Sequence, residues 1–218
     1  MRVVKGEKAE ETFAILLIGD GRREERIIST LSEGYNHSKL LLIPTIGVRT
    51  GLTNVVDTLA WLTVNTRVKI YAVVIDKEHV ETIDDVKLKL TEYGFSVDTL
   101  NKVANGLWKI KCSKGPKSVT LYLATTGLTP KGHIEENIAE LIKLLYGETV
   151  KPDKAGINEW LRRHNLRDQE LVKEALKRRR IKELKQAFPR LTALMEIMAK
   201  NEPLKCENKI GTPINNTC

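Results

Sequence analysis

No stretch of this chain approaches the roughly 18 apolar residues that a membrane-spanning helix requires. Its opening, Met1-Arg-Val-Val-Lys-Gly-Glu-Lys8, also lacks the apolar segment of a signal peptide. These absences predict a cytoplasmic protein that does not enter a membrane. Cysteine is scarce and odd in number, with Cys112, Cys206 and Cys218 in no C-x-x-C spacing, so neither a zinc site nor a disulfide framework is indicated. Glutamine occurs only at 169 and 186 while 29% of residues are charged, a balance seen in heat-adapted proteins. There is no internal repeat and no Walker-A or dinucleotide-binding fingerprint.

What is present suffices for one full core. The 218 residues are 41% hydrophobic, enough for a single α/β domain with an extension. Apolar β-branched runs alternate with helix-period segments through the first hundred residues. Phe13–Ile18, Leu40–Ile43 and Val68–Ile75 read as buried strands, and Arg22–Leu31, Thr53–Leu62 and Ile83–Tyr93 as amphipathic helices. Strands joined by helices imply a mainly parallel, Rossmann-like sheet with right-handed crossovers. Leu107–Cys112 and Val119–Leu123 alternate with period two around a Ser-Lys-Gly-Pro-Lys-Ser turn, which predicts an antiparallel hairpin at the sheet edge. Ile134–Leu145 is a further amphipathic helix. Beyond Lys151-Pro152 only helical segments remain, at 153–163, 168–186 and 190–199. The organisation expected is therefore an α/β domain over residues 1–150, a basic helical extension over 151–200 and a disordered tail over 201–218. On this reading the chain cut after Gly147 keeps its fold.

Net charge is +8, and it is unevenly placed. Residues 1–150 carry 20 Lys and Arg against 19 Asp and Glu, whereas residues 151–200 carry 14 against 7. An anionic partner, DNA or RNA, is expected to meet the extension, above all at Lys177-Arg178-Arg179-Arg180. A charge run of this kind is equally a solvated helix face. Arg49, in the Thr45–Gly51 loop after the second strand, and Lys131, beside His133, are further cations placed to contact a phosphate.

Two acidic clusters each follow a buried strand: Asp20-Gly21-Arg22-Arg23-Glu24 and Asp76-Lys77-Glu78. Taken singly, the first is explained by an N-cap and a solvated ion pair, and the second by a surface turn. Taken together, at the carboxyl ends of neighbouring parallel strands, they place up to four acids around one point. Such a cluster repels itself unless a hard cation sits within it, and with no Cys or His close by the donors suit Mg²⁺ or Mn²⁺. Glu135 and Glu136 open the last helix of the domain, where the helix dipole explains them, and either remains open as a further ligand.

These motifs resemble the Toprim domain, in which one strand ends in an acid followed by Gly (E-G-x-x-E/D) and a later strand ends in D-x-D. The resemblance covers roughly residues 12–146. It extends through Thr129-Pro-Lys-Gly-His-Ile-Glu-Glu-Asn137 to a group of small stand-alone prokaryotic Toprim proteins, related to the Toprim domain of nucleases of the overcoming-lysogenisation-defect type. The resemblance implies a metal set of Asp20, Glu24, Asp76 and Glu78, with Asp20 and Asp76 catalytic and Asp20 the general base for phosphodiester hydrolysis. Two positions depart from the family pattern: Asp20 stands where a glutamate is usual, and Glu78 where an aspartate is usual. No tyrosine nucleophile or ATPase module accompanies the motifs, which argues against a topoisomerase or a motor-coupled nuclease. The rival expectations are a non-catalytic scaffold that binds nucleic acid or a protein, and a receptor for a nucleotide or second messenger.

Overall fold

The computed structural model describes residues 1–6, 12–19, 21–35, 38–45 and 51–200. In chain order its elements are β1 (Arg2–Gly6), β2 (Thr12–Ile18), α1 (Arg22–Glu33), β3 (Leu40–Pro44), α2 (Leu52–Asn65), β4 (Ile70–Asp76), a 3₁₀ turn (Lys77–His79), α3 (Ile83–Glu92), β5 (Ser96–Ala104), β6 (Leu107–Lys114), β7 (Lys117–Thr126), α4 (Ile134–Tyr146), α5 (Lys154–Arg163), α6 (Asp168–Lys177), α7 (Ile181–Ala187) and α8 (Pro189–Lys200). The strands form one sheet in the order β1-β3-β2-β4-β7-β6-β5. All pairings from β1 to β7 are parallel, and β7-β6-β5 is an antiparallel meander. This is a Rossmann-like α/β fold. No helix among the described residues is long and apolar enough to cross a membrane.

The apolar runs are continuous because the central strands are covered on both faces. In β2, Ala14 and Leu16 face one apolar cluster while Ile15 and Leu17 face the other, and Ala72 and Val74 against Tyr71, Val73 and Ile75 repeat the division in β4. The chain steps from β2 outward to β3, then back across β2 to β4. With right-handed crossovers that reversal puts α1 and α2 on opposite faces. Accordingly Ile27, Ile28 and Leu31 of α1 belong to the first cluster, and Val55, Val56 and Leu59 of α2 to the second.

The hairpin expected at the edge is present, turned by the two residues Gly115-Pro116 between β6 and β7. A third strand, β5, lies outside it. Its sequence is polar and it is largely exposed, so alternation does not reveal it, although the Asn105-Gly106 turn that joins it to β6 is a strong hairpin signal. Edge strand β1 is short and only partly buried.

The C-terminal helices pack onto the sheet and are part of its core. Ile157, Trp160, Leu171, Val172, Leu184, Phe188, Leu191, Leu194, Met195 and Met198 are buried in the same cluster as Leu16, Tyr122 and Ala124. They share that face with α1 and α4, so removal of everything after Gly147 uncovers part of it.

The segment 168–186 is not one helix. It breaks between α6 and α7, with Arg179 in a left-handed conformation (φ 57°), so of Lys177–Arg180 only Lys177 is helical. The reason is positional. Arg179 is seven residues beyond Val172 and four beyond Ala175, so a continuous helix would carry it onto the buried face. Burying an unpaired guanidinium costs more than one strained residue. The proposed disordered tail at 201–218 lies outside the described residues.

Candidate functional site

The sheet order reverses between β2 and β4, and the carboxyl edge at such a point is where open α/β sheets build ligand sites. At the end of β2, Gly19 passes so near β4 that a Cβ there would lie 2.7 Å from Ile75 Cγ1. Its amide donates to Val74 O (2.7 Å) and its carbonyl accepts from Gly51 N (2.7 Å), so the strand end and the entry to α2 are tied together. Gly21, at φ 144°, turns the chain into α1. Glu24, in the first turn of α1, is buried, and its Oε2 folds back to within 3.7 Å of where a Gly21 Cβ would sit.

Asp76 is the last residue of β4 and is also buried. Its Oδ1 accepts from the hydroxyl of Thr126, its register partner on β7, and from Ile134 N at the start of α4 (3.2 Å). Asp76 thus joins β4, β7 and α4, and substitutes for the side-chain cap that His133 does not provide. Glu78 does not share this setting. The chain leaves the strand at Asp76, and in the 3₁₀ turn Glu78 is half exposed, 3.7 Å from His79 Nε2. Asp20 and Arg49 lie outside the described residues. Glu24 and Asp76 are consequently the members of the expected set seen on one edge, and among the described residues no three of His, Cys, Asp and Glu are grouped to hold a metal.

Glu135 and Glu136 have structural partners. Glu135, buried, accepts from Arg23 Nη1 (2.7 Å) and meets His133 Nδ1 (2.8 Å). Glu136 Oε2 accepts from Leu128 N (2.6 Å) and Thr129 N (2.8 Å), and Oε1 from the Thr129 hydroxyl (2.7 Å). Burial acts to raise the Glu136 pKa, but these bonds and nearby His133 outweigh it and hold the carboxyl below its ordinary value. The β7–α4 loop that Glu136 gathers carries Lys131 exposed on its surface and packs beside Asp76, since Lys77 N donates to Gly132 O (3.1 Å).

Two residues of this edge carry no motif signal. Arg23 is enclosed by Glu135, Asp168 (Nε to Oδ1, 3.2 Å) and Asn158 (Nη2 to Oδ1, 2.5 Å), which couples α1 to α4, α5 and α6. Arg190, buried at the start of α8, donates from Nε to Asn105 O (2.9 Å) and from Nη1 to the carbonyls of Gly127 and Thr126. Burial lowers its pKa and Glu136 opposes that. Each was legible only as a charge in a helix, because its partners are more than sixty residues away.

The cations of the basic run are all exposed. Arg178 pairs with Glu174 and Arg180 with Glu183 (3.1 Å), while Lys177 and Arg179 make no ion pair among the described residues. The run stands at the opposite end of α6 from the acids. Helix α6 lies alongside α1 in the same direction, with Asp168 at its start against Arg23 and Arg26 and Leu176 at its end against Gly34. Lys177–Arg180 is thereby about 18 Å, the length of α1, from the strand-end carboxylates. Trp108 and Trp160 are packing residues, and Cys112 is fully buried, with burial and nearby Asp98 pushing its thiol up to about 12. No protein-family model matches the chain, and comparison with curated proteins and with solved structures found no match.

Proposed function

We propose that this is a Toprim-like, metal-dependent protein that binds nucleic acid and hydrolyses its phosphodiesters at the carboxyl edge of β2 and β4. The observation that supports the reading is the burial of two carboxylates, Glu24 and Asp76, at the point where the sheet order reverses. Burying charge is expensive, and a ligand site at this edge gives it a use. The donors are hard oxygens, which fit Mg²⁺ or Mn²⁺. Asp20 is needed to complete the set, and Glu78, on its exposed turn, is its weakest member. When bound, the metal polarises a phosphoryl oxygen and lowers the pKa of an attacking water. The chain supplies position: Thr126 and the Ile134 amide fix Asp76, and the first turn of α1 fixes Glu24. The acid/base role falls to Asp20 by resemblance.

A second reading is a non-catalytic scaffold that docks nucleic acid or a protein. It is favoured by the prior engagement of Asp76 Oδ1, which already serves two donors and has a purely structural use.

Thermal unfolding in Mg²⁺ or Mn²⁺ tests the metal. Millimolar cation should stabilise the wild type by roughly 1–2 kcal/mol for binding in the tens of micromolar, and Asp76→Asn should remove the shift. An unchanged melting temperature in the wild type would end the metal reading. A metal shift with no Mn²⁺-dependent cleavage of single-stranded DNA, duplex DNA or RNA would select the scaffold.

A further inference from the structure

Four arginines meet in one surface groove at the junction of α1, α5 and α6. The groove, about 400 Å³, is lined by Arg23, Arg26, Asn158, Arg162, Arg167 and Asp168 together with two leucines and a glutamine. Asp168 is the one carboxylate among its described lining residues, and it is itself buried. Its Oδ2 takes Arg26 Nη2 at 2.6 Å and its Oδ1 lies 3.2 Å from Arg23 Nε. Asp168 therefore cancels one charge while fixing the direction of two guanidiniums. Arg162 and Arg167 are exposed and form no ion pair among the described residues. With Arg23 also paired to Glu135, the groove retains an excess of two positive charges, on Arg162 and Arg167.

Like charges gathered in a groove raise its potential and favour an anion there. Guanidinium forks match phosphate oxygens in geometry as well as in charge. The groove also has a position that the Lys177–Arg180 run lacks. Arg23 bonds Glu135, the residue next to Ile134, whose amide bonds Asp76, so the groove opens beside the acidic strand ends.

We propose that this groove, and not the Lys177–Arg180 run, binds the phosphates of a nucleic-acid strand and leads that strand to the edge of β2 and β4. Arg162, Arg167 and the exposed part of Arg26 contact phosphate, while Arg23 and Asp168 position them. The inference deepens the nucleic-acid reading above and rests on it, but not on the metal.

The test is fluorescence anisotropy with labelled single-stranded and duplex DNA and RNA oligonucleotides, across a salt series in EDTA. The full-length protein is compared with Arg162→Ala/Arg167→Ala and with Lys177→Ala/Arg178→Ala/Arg179→Ala/Arg180→Ala, each checked for folding by circular dichroism. The double variant should lose about tenfold or more in affinity at low salt. Its slope of log affinity against log salt should fall by roughly 1.4–1.8, the release expected for two lost phosphate contacts. The quadruple variant should keep most of its slope. A larger loss in the quadruple than in the double variant overturns the proposal, as does wild-type binding by the double variant or no binding of any oligonucleotide by the wild type. Inorganic pyrophosphate serves as a second probe, and its binding in the absence of oligonucleotide binding would assign the groove to a small anion instead. Because EDTA is present throughout, failure of the metal reading leaves these outcomes unchanged and separately readable.

Discussion

Arg23 Nη1 lies 2.7 Å from Glu135 Oε1, and this contact joins the first turn of α1 to the first turn of α4 across 112 residues of sequence. Both side chains are nearly sealed from solvent, at 14% and 4% exposure, and Asp168, at 5%, closes the other side of the guanidinium. The cluster is the mechanical centre of the candidate edge, since it ties the element bearing Glu24 to the one that receives Asp76. It also removes Glu135 from the pool of available metal ligands.

Arg23→Met should destabilise strongly, because it leaves two buried carboxylates facing the gap. Loss of one partner of a buried ion pair costs about 3 kcal/mol or more. Urea unfolding at neutral pH measures it. A change below about 1 kcal/mol, the scale of an exposed pair, would show that the cluster is hydrated and loosely held.

Gly106, at φ 74°, turns the β5–β6 hairpin, and a Cβ there would collide with the Arg190 side chain and with Thr125 Oγ1. Gly106→Ala should cost about 2 kcal/mol from backbone strain alone and more from displacing Arg190. In an Arg190→Met background the same substitution should cost less, since the guanidinium it strikes is gone. Equal costs in the two backgrounds would mean that Gly106 serves the turn and does not also make room for Arg190.

Glu136 carries a pH signature. Its pKa in the folded protein is below the ordinary 4.5, so the stability it contributes is complete above that value and is lost as pH falls through the lowered one. Glu136→Gln should therefore be less stable than wild type at pH 7, with the difference shrinking below about pH 4.5. Thermal melts between pH 3 and 7 read it directly. A difference that stays constant across that range would locate the effect in shape and not in charge.

Truncation after Gly147 should abolish cooperative folding. It removes Ile157, Trp160, Leu171, Phe188 and Met195 from the cluster that covers Leu16 and Tyr122, leaving α1 and α4 to cover that face of the sheet. Trp160 is a convenient reporter in the intact chain. It is fully buried, donates from Nε1 to Glu148 Oε2 (2.8 Å) and stacks on His164 at 3.9 Å between ring centroids. A truncated protein that stays soluble and melts in one sharp transition would show residues 1–147 to be an independent domain.

The α/β class, the order of the helices up to α4 and of every strand but β1 and β5, and the β6–β7 hairpin were written in local pattern: continuous β-branched runs for strands buried on two faces, and 3.6-residue spacing for the helices between them. Those signals survive because burial of a regular element imposes its own period on neighbouring residues. The two acidic clusters were legible for the same local reason, each following a strand. What each acid does was not. Asp76 and Glu78 are two residues apart and read alike, yet the 3₁₀ turn after β4 leaves one buried against Thr126 and Ile134 and the other half exposed. Position in three dimensions likewise separated one arginine from another. Lys177–Arg180 is the conspicuous run in sequence, whereas Arg23, Arg26, Arg162 and Arg167 are scattered over 144 positions and converge only because α6 lies along α1. Local chemistry thus determined which segments fold into what, and long-range packing decided which charges are spent on holding the structure and which remain available to a ligand.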